Sequence, residues 1–275
     1  MARMRELMEV DAVGEIAVIY EEIRKYYAAP YVSSLFRHLA TYPGLLEWIW
    51  RITRPVFESG LIQNTGWARV DVSGLEVLKP LSNRELNILG VNSEARKIIL
   101  NTCLTFTRVS PINLVFAGCM KQLLGVVDLQ SVIKDRKQFP LPASLPKLPS
   151  MVPWEDLTGP NLTALNVFSA TLAGEIFIPG MYRIFARWPL YLEYVAELLG
   201  PRLRDPNVLI TLETIANNIF SAVPEVFDDL DLTEPTPPID EEQKQQVLSA
   251  ITAYRGTSPQ MVGFGTLLMK ALPVS

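Results

Sequence analysis

The chain has 275 residues, 49% of them hydrophobic and 20% charged, with a net charge of −4. That length fits one large domain or two ordinary ones, and the apolar share supports a sizeable core. A mildly acidic chain with no dense Lys/Arg block lacks the clustered cations that a nucleic-acid partner requires.

The opening stretch, "MARMRELMEVDAVGEI", lacks the apolar core of a signal peptide. The most apolar runs, 112–127 and 162–182, are interrupted by Lys121 and by Glu175 and Pro179. Both fall short of the roughly 18–20 clean residues of a membrane span. The expectation is a soluble, cytoplasmic protein with no membrane partner. The two cysteines, Cys103 and Cys119, suit a reducing compartment and read as small core fillers. With the single histidine, His38, they give no zinc-ligand spacing, so no metal or other cofactor is expected.

Residues 15–27 carry Ile16, Ile19, Tyr20, Ile23 and Tyr27 at helical spacing, opposite Glu15, Glu22 and Arg24. Next comes "FRHLATYPGLLEW", 36–48, in which His38 reads as a partly exposed helix residue rather than a catalytic one. The alternation in "WARVDVSGLEVL", 67–78, is short and isolated and reads as a connection. Residues 94–107 place Ile99, Cys103 and Phe106 on one helical stripe. "SPINLVF" follows at 110–116, with Ser110-Pro111 reading as an Ncap–N1 pair. Residues 138–160 hold six prolines and predict an extended linker, since proline fixes φ and lacks an N–H. The acidic run "DDLDLTEP", 228–235, lacks the glycine and terminal glutamate of a calcium loop and reads as a solvated loop. Asp240 and Gln243 form a capping pair before a helix at 241–254. "GFGTLLMK", 263–270, lacks the third glycine of a dinucleotide fingerprint and does not follow a strand.

The chain repeats itself. "YRIFARWPLYLEY", 182–194, echoes 36–48 at an offset of 146, keeping Arg37/Arg183, Pro43/Pro189, Leu46/Leu192 and Glu47/Glu193. "SPQMVGF", 258–264, echoes 110–116 at an offset of 148, with Glu94/Glu242, Leu100/Leu248 and Phe106/Tyr254 in step. Shared helical periodicity is the competing explanation, but two ordered echoes at nearly one offset favour duplication. The prediction is an all-α fold of two pseudo-symmetric helical repeats, 10–137 and 161–273, joined by the linker at 138–160. Their leftover apolar faces would meet about a pseudo-two-fold axis, with a ligand cleft between them. The repeated arginines and glutamates fit an Arg–Glu pair or a helix-end tie inside each repeat; anion capture by the arginines in the cleft is the alternative.

"APYVSSLFRHLATYPGLLEWIW" (29–50), "SPINLVF" and "RWPLYL" (187–192) resemble the group I 2-haloacid dehalogenases, the DehI family. The resemblance covers about residues 10–272. It implies an all-helical pseudo-dimer that forms homodimers and hydrolyses 2-halocarboxylates without a cofactor. In that family an aspartate takes the proton of a water that attacks C2, and an asparagine helps hold the water. Carried onto this chain, the aspartate falls at Met181, its preceding serine at Gly180 and the asparagine at Ser110. A pocket tryptophan falls at Tyr31, and a neighbouring aromatic at Ser34. A thioether cannot take a proton from water, so dehalogenation by the family mechanism is not expected. Three readings follow: a relative acting through a relocated base, with Glu175 the candidate; a non-catalytic binder of a small molecule, possibly a carboxylate; or a different enzyme reusing the cleft.

Overall fold

The computed structural model describes residues 4–125, 139–157, 159–172, 175–230, 232 and 236–273. The chain is helical almost throughout, as its periodicity predicts. The first half runs α1 (Gly14–Tyr27), α2 (Ser34–Leu39), α3 (Leu45–Glu58), α4 (Leu61–Ala68), α5 (Asn83–Ile88) and α6 (Ser93–Gly125). The second half runs α7 (Gly159–Asn166), α8 (Gly180–Phe185), α9 (Pro189–Leu199), α10 (Pro206–Ser221), α11 (Val223–Phe227) and α12 (Glu241–Ala271). Helices α2 and α8 begin and end 146 positions apart, and each half closes on a helix of more than thirty residues.

Local chemistry sets the boundaries. Asp240 and Gln243 cap the start of α12 reciprocally, as the sequence predicts. Pro189 opens α9, where its missing N–H costs nothing. Residues 69–82 connect α4 to α5 without a strand. One hairpin interrupts the helices: β1 (Ala170–Leu172) pairs antiparallel with β2 (Glu175–Phe177). The acidic run at 228–235 lies partly outside the described residues, as do the ends of the 138–160 stretch. The described linker is irregular apart from one 3-10 turn at Trp154–Asp156 and is sewn back onto the fold. Its Phe139 N–H donates to the Glu58 carbonyl, and its Leu145 N–H donates to the Ala28 carbonyl.

Ser110-Pro111 and Ser258-Pro259 are not helix starts. Both lie in the interior of the continuous helices α6 and α12. Proline there removes one helical hydrogen bond, a cost of about 3 kcal/mol or more. Each long helix offsets that cost by burying apolar residues along nearly its whole length. The close approach of α4 to α6 falls at the same point. A Cβ on Gly66 would stand 2.8 Å from the Pro111 backbone, so only glycine fits.

The two apolar cores do not follow the division of the chain into halves. The first packs α1–α4 against the C-terminal part of α6 and the N-terminal part of α12, around Phe36, Phe57 and Phe116. The second packs α8 and α9 against the N-terminal part of α6 and the C-terminal part of α12, around Tyr182, Phe185 and Phe264. The long helices therefore run antiparallel, each stitching both cores, and their Ser-Pro steps meet midway. Helix α6 is apolar and long enough to cross a membrane, yet 67% of its most apolar window is packed inside the protein. Cys103 and Cys119 are buried fillers whose thiols burial pushes up, that of Cys119 to about 12.

Candidate functional site

Two cavities adjoin, the inner one between the long helices where they cross and the outer one beyond it, walled by the N-terminal segment, the linker, the hairpin and α8. The inner one has a volume of about 40 Å³, room for a water or a compact group of a few heavy atoms. The outer one has a volume of about 760 Å³. They share Glu6, Tyr31, Arg37, Phe106, Phe177 and Arg183 as common wall.

The walls of the inner cavity come in matched pairs. Tyr31, Ser34 and Arg37 from the start of α2 face their counterparts 146 positions on, Phe177, Gly180 and Arg183. Phe106, Ser110 and Asn113 of α6 face their counterparts 148 positions on, Tyr254, Ser258 and Met261 of α12. The two sequence echoes thus converge on one small chamber.

Each arginine is held by an extended segment that precedes its helix. The Arg37 carbonyl accepts the Leu7 N–H at 2.9 Å, and its guanidinium pairs with Glu6 Oε2 at 2.7 Å. The Arg183 carbonyl accepts the Val152 N–H at 3.4 Å, and its Nη2 donates to the Val152 carbonyl at 3.2 Å. Arg183 also stacks on Trp154 at 4.6 Å. The N-terminal segment is fastened further by Tyr20 Oη donating to the Leu7 carbonyl, and by His38 Nδ1 at 2.9 Å from the Arg5 carbonyl. The linker is fastened by Arg187, which donates to the Ser150 carbonyl at 2.9 Å.

The charged groups of the inner wall are Arg37, Arg183 and Glu6, a balance of one positive charge. Arg37 is buried to 4% exposure, and its Nε has no hydrogen-bond partner. A positive chamber with a buried guanidinium N–H left over is suited to an anion, and most of all to a carboxylate that guanidinium can grip in bidentate fashion. Tyr254 donates to Ser34 Oγ at 2.5 Å. Burial raises the hydroxyls of Tyr31 and Tyr254 above their ordinary pKa, so both stay neutral donors.

Of the positions singled out in the sequence, Tyr31, Ser34, Ser110 and Gly180 line the inner cavity. Met181 does not. Its side chain is fully buried in the second core and lines neither cavity. Glu175 lines neither cavity either; it sits half-buried at the start of β2, where its charge is felt by His38 and Tyr42. His38 is buried, not partly exposed. Arg37 takes Glu6 as its partner rather than Glu47, whose Oε2 is buried without a hydrogen bond. Arg37 thus has an Arg–Glu pair, though not with Glu47, and both arginines also line the inner cavity.

Several wall residues were not singled out by the sequence, Asn113, Glu6 and Trp154 among them. Asn113 has a readable signal, a polar side chain in the apolar run "INLVF" one helical turn after Ser110, where i and i+3 share a face. It accepts from Ser33 Oγ at 3.3 Å. Glu6 and Trp154 lie in segments without periodicity, so their roles emerge only from the fold. Among the described residues no cluster of three or more His, Cys, Asp or Glu side chains could hold a metal ion.

An all-α chain with two long antiparallel central helices and a cavity at their crossing has the fold of the D-2-haloacid dehalogenases. The structure of a D-2-haloacid dehalogenase mutant in complex with D-2-CPA superposes with a TM-score of 0.79 at 20% sequence identity, covering 98% of this chain and 96% of that one. A mutant structure without a named ligand gives 0.78, and a complex with L-LA gives 0.79, at the same identity and coverage. No family model matches the chain, and no curated protein matches it.

Proposed function

We infer that this chain is a DehI-like cleft protein, built from two diverged copies of one helical unit, that binds a small carboxylate at the seam between them. It does not dehalogenate by the family mechanism. The observation that carries this reading is the convergence of Arg37 and Arg183, twin positions of the repeat, on one chamber with a net positive wall. The similar D-2-haloacid dehalogenase structures hold D-2-CPA and L-LA, and a carboxylate of that size suits the inner chamber. Met181 is sealed in a core, so the position onto which the resemblance carries the family's aspartate is not in the cleft; the reading leans instead on Glu6, already paired with Arg37, being the carboxylate of the inner wall.

A second reading, a cofactor-free hydrolase with a relocated base, is favoured by Glu6 rather than by Glu175. Glu6 supplies the carboxylate of the inner wall, with Oε2 given to Arg37. It could take the proton of a water attacking C2 as halide leaves.

Titration calorimetry with 2-chloropropionate, run beside a halide-release assay on both enantiomers, tests both. The first reading expects saturable binding without rapid halide release. Rapid release abolished by Glu6→Gln would replace it with the second, and absence of binding would end both.

A further inference from the structure

We propose that the acid taken by this cleft is a monocarboxylate with an extended apolar tail, about the length of octanoate, its head on the two arginines and its tail along the outer cavity. The inference rests on the anion-site reading above and adds a substrate class to it. The inner cavity, at about 40 Å³, holds little more than a carboxylate and its first substituent. The outer cavity, at about 760 Å³, is within the range of sites that enclose ligands of drug size. A two- or three-carbon acid would leave it filled with water.

Part of its wall is apolar. Met8, Leu148, Met151, Trp154, Ile176 and Ile184 line it, contributed by the N-terminal segment, the linker, the hairpin and α8. Methionine is the side chain that best adapts to a flexible chain. Both arginines sit on the wall that the two cavities share, so a head gripped there sends its tail outward.

The outer wall also carries Glu9 and Glu155. Glu9 is tied down, paired with Arg24 at 2.5 Å and accepting the Val32 N–H at 2.9 Å. A second carboxylate at the far end of the ligand would meet Glu155 and the Glu9 carboxylate already engaged by Arg24. Among the described residues, no cation of the outer wall is left to receive it beyond the two arginines that hold the head, which selects monoacids over diacids of equal length.

The test is titration calorimetry on the full chain with acetate, butyrate, hexanoate and octanoate, with octan-1-ol and octanedioate as comparators. Each added methylene tightens binding about two- to four-fold, the range implied by burying part or all of a CH₂. Octan-1-ol and octanedioate bind at least about ten-fold more weakly than octanoate, the loss of one good charge-assisted contact. Leu148→Trp, which narrows the outer cavity, reduces the gain with length. A circular-dichroism melt checks that this variant is folded. Equal affinity along the acid series, or a length gain untouched by Leu148→Trp, overturns the tail assignment and leaves the arginine site standing. Octan-1-ol binding as tightly as octanoate overturns the arginine site, and this inference with it.

Discussion

Helices α2 and α8 present the same guanidinium to the same chamber, yet the two are held differently. Arg37 is buried against a carboxylate, Glu6. At the corresponding place on the other side stands Val152, which offers Arg183 only a backbone carbonyl, while Trp154 offers it an aromatic face. Arg37 is largely neutralised by its neighbour. Of the six aligned positions of the two helices only the arginine is the same residue, and the segments leading into them differ in what they offer it.

The sharpest challenge to this picture is Met181→Asp. If Met181 stood in the cleft, aspartate there would be tolerated and, with Ser110→Asn, could restore a proton acceptor. Buried in the apolar core as it is, a carboxylate at that position has no charged partner. The variant should lose about 4 kcal/mol or more in chemical denaturation and show no halide release. Next in size is the contrast between the arginines. Arg37→Met strands Glu6 in a half-closed site and should cost about 3 kcal/mol of stability. Arg183→Met, which gives up the Val152 carbonyl and the Trp154 ring, should cost less, about 1 kcal/mol. Equal costs would deny the asymmetry.

The smallest effect concerns His38, the only histidine in the chain. Burial holds its pKa below the ordinary value of 6.5, against a raising contribution from the Arg5 carbonyl and the charge of Glu6. The folded state therefore resists protonation more than the unfolded chain does. Stability from the neutral ring is complete above about pH 6.5 and declines as pH falls below that value. Denaturation at pH 7 and pH 6 should reveal the decline, and His38→Gln should remove it.

Much of this was legible in the sequence because the chain says it twice. The helices, the capping box at Asp240 and the convergence of two echoes follow from periodicity and from constant offsets. The Ser-Pro steps were misread for a physical reason. Proline's local preference for the first turn of a helix is outweighed when a long helix gains burial on both sides of it. Strands β1 and β2 were hidden in the long apolar run 162–182, whose continuous hydrophobicity carries no period by which strand and helix can be told apart. Glu6 could not be found because a strap has no period; its position is fixed by Leu7, Tyr20 and His38, all contacts across the fold. Glu47 and Glu193 drew attention as conserved twins, but their repetition was no guide to which carboxylate reaches Arg37.

The central claim is that both arginines serve one anion site, and the stoichiometry of carboxylate binding tests it most directly. Calorimetric titration of octanoate into the wild-type chain, Arg37→Lys and Arg183→Gln should give one site per chain, weakened at least about ten-fold in each variant. Two sites per chain, or a variant of either arginine that binds as tightly as wild type, would contradict it.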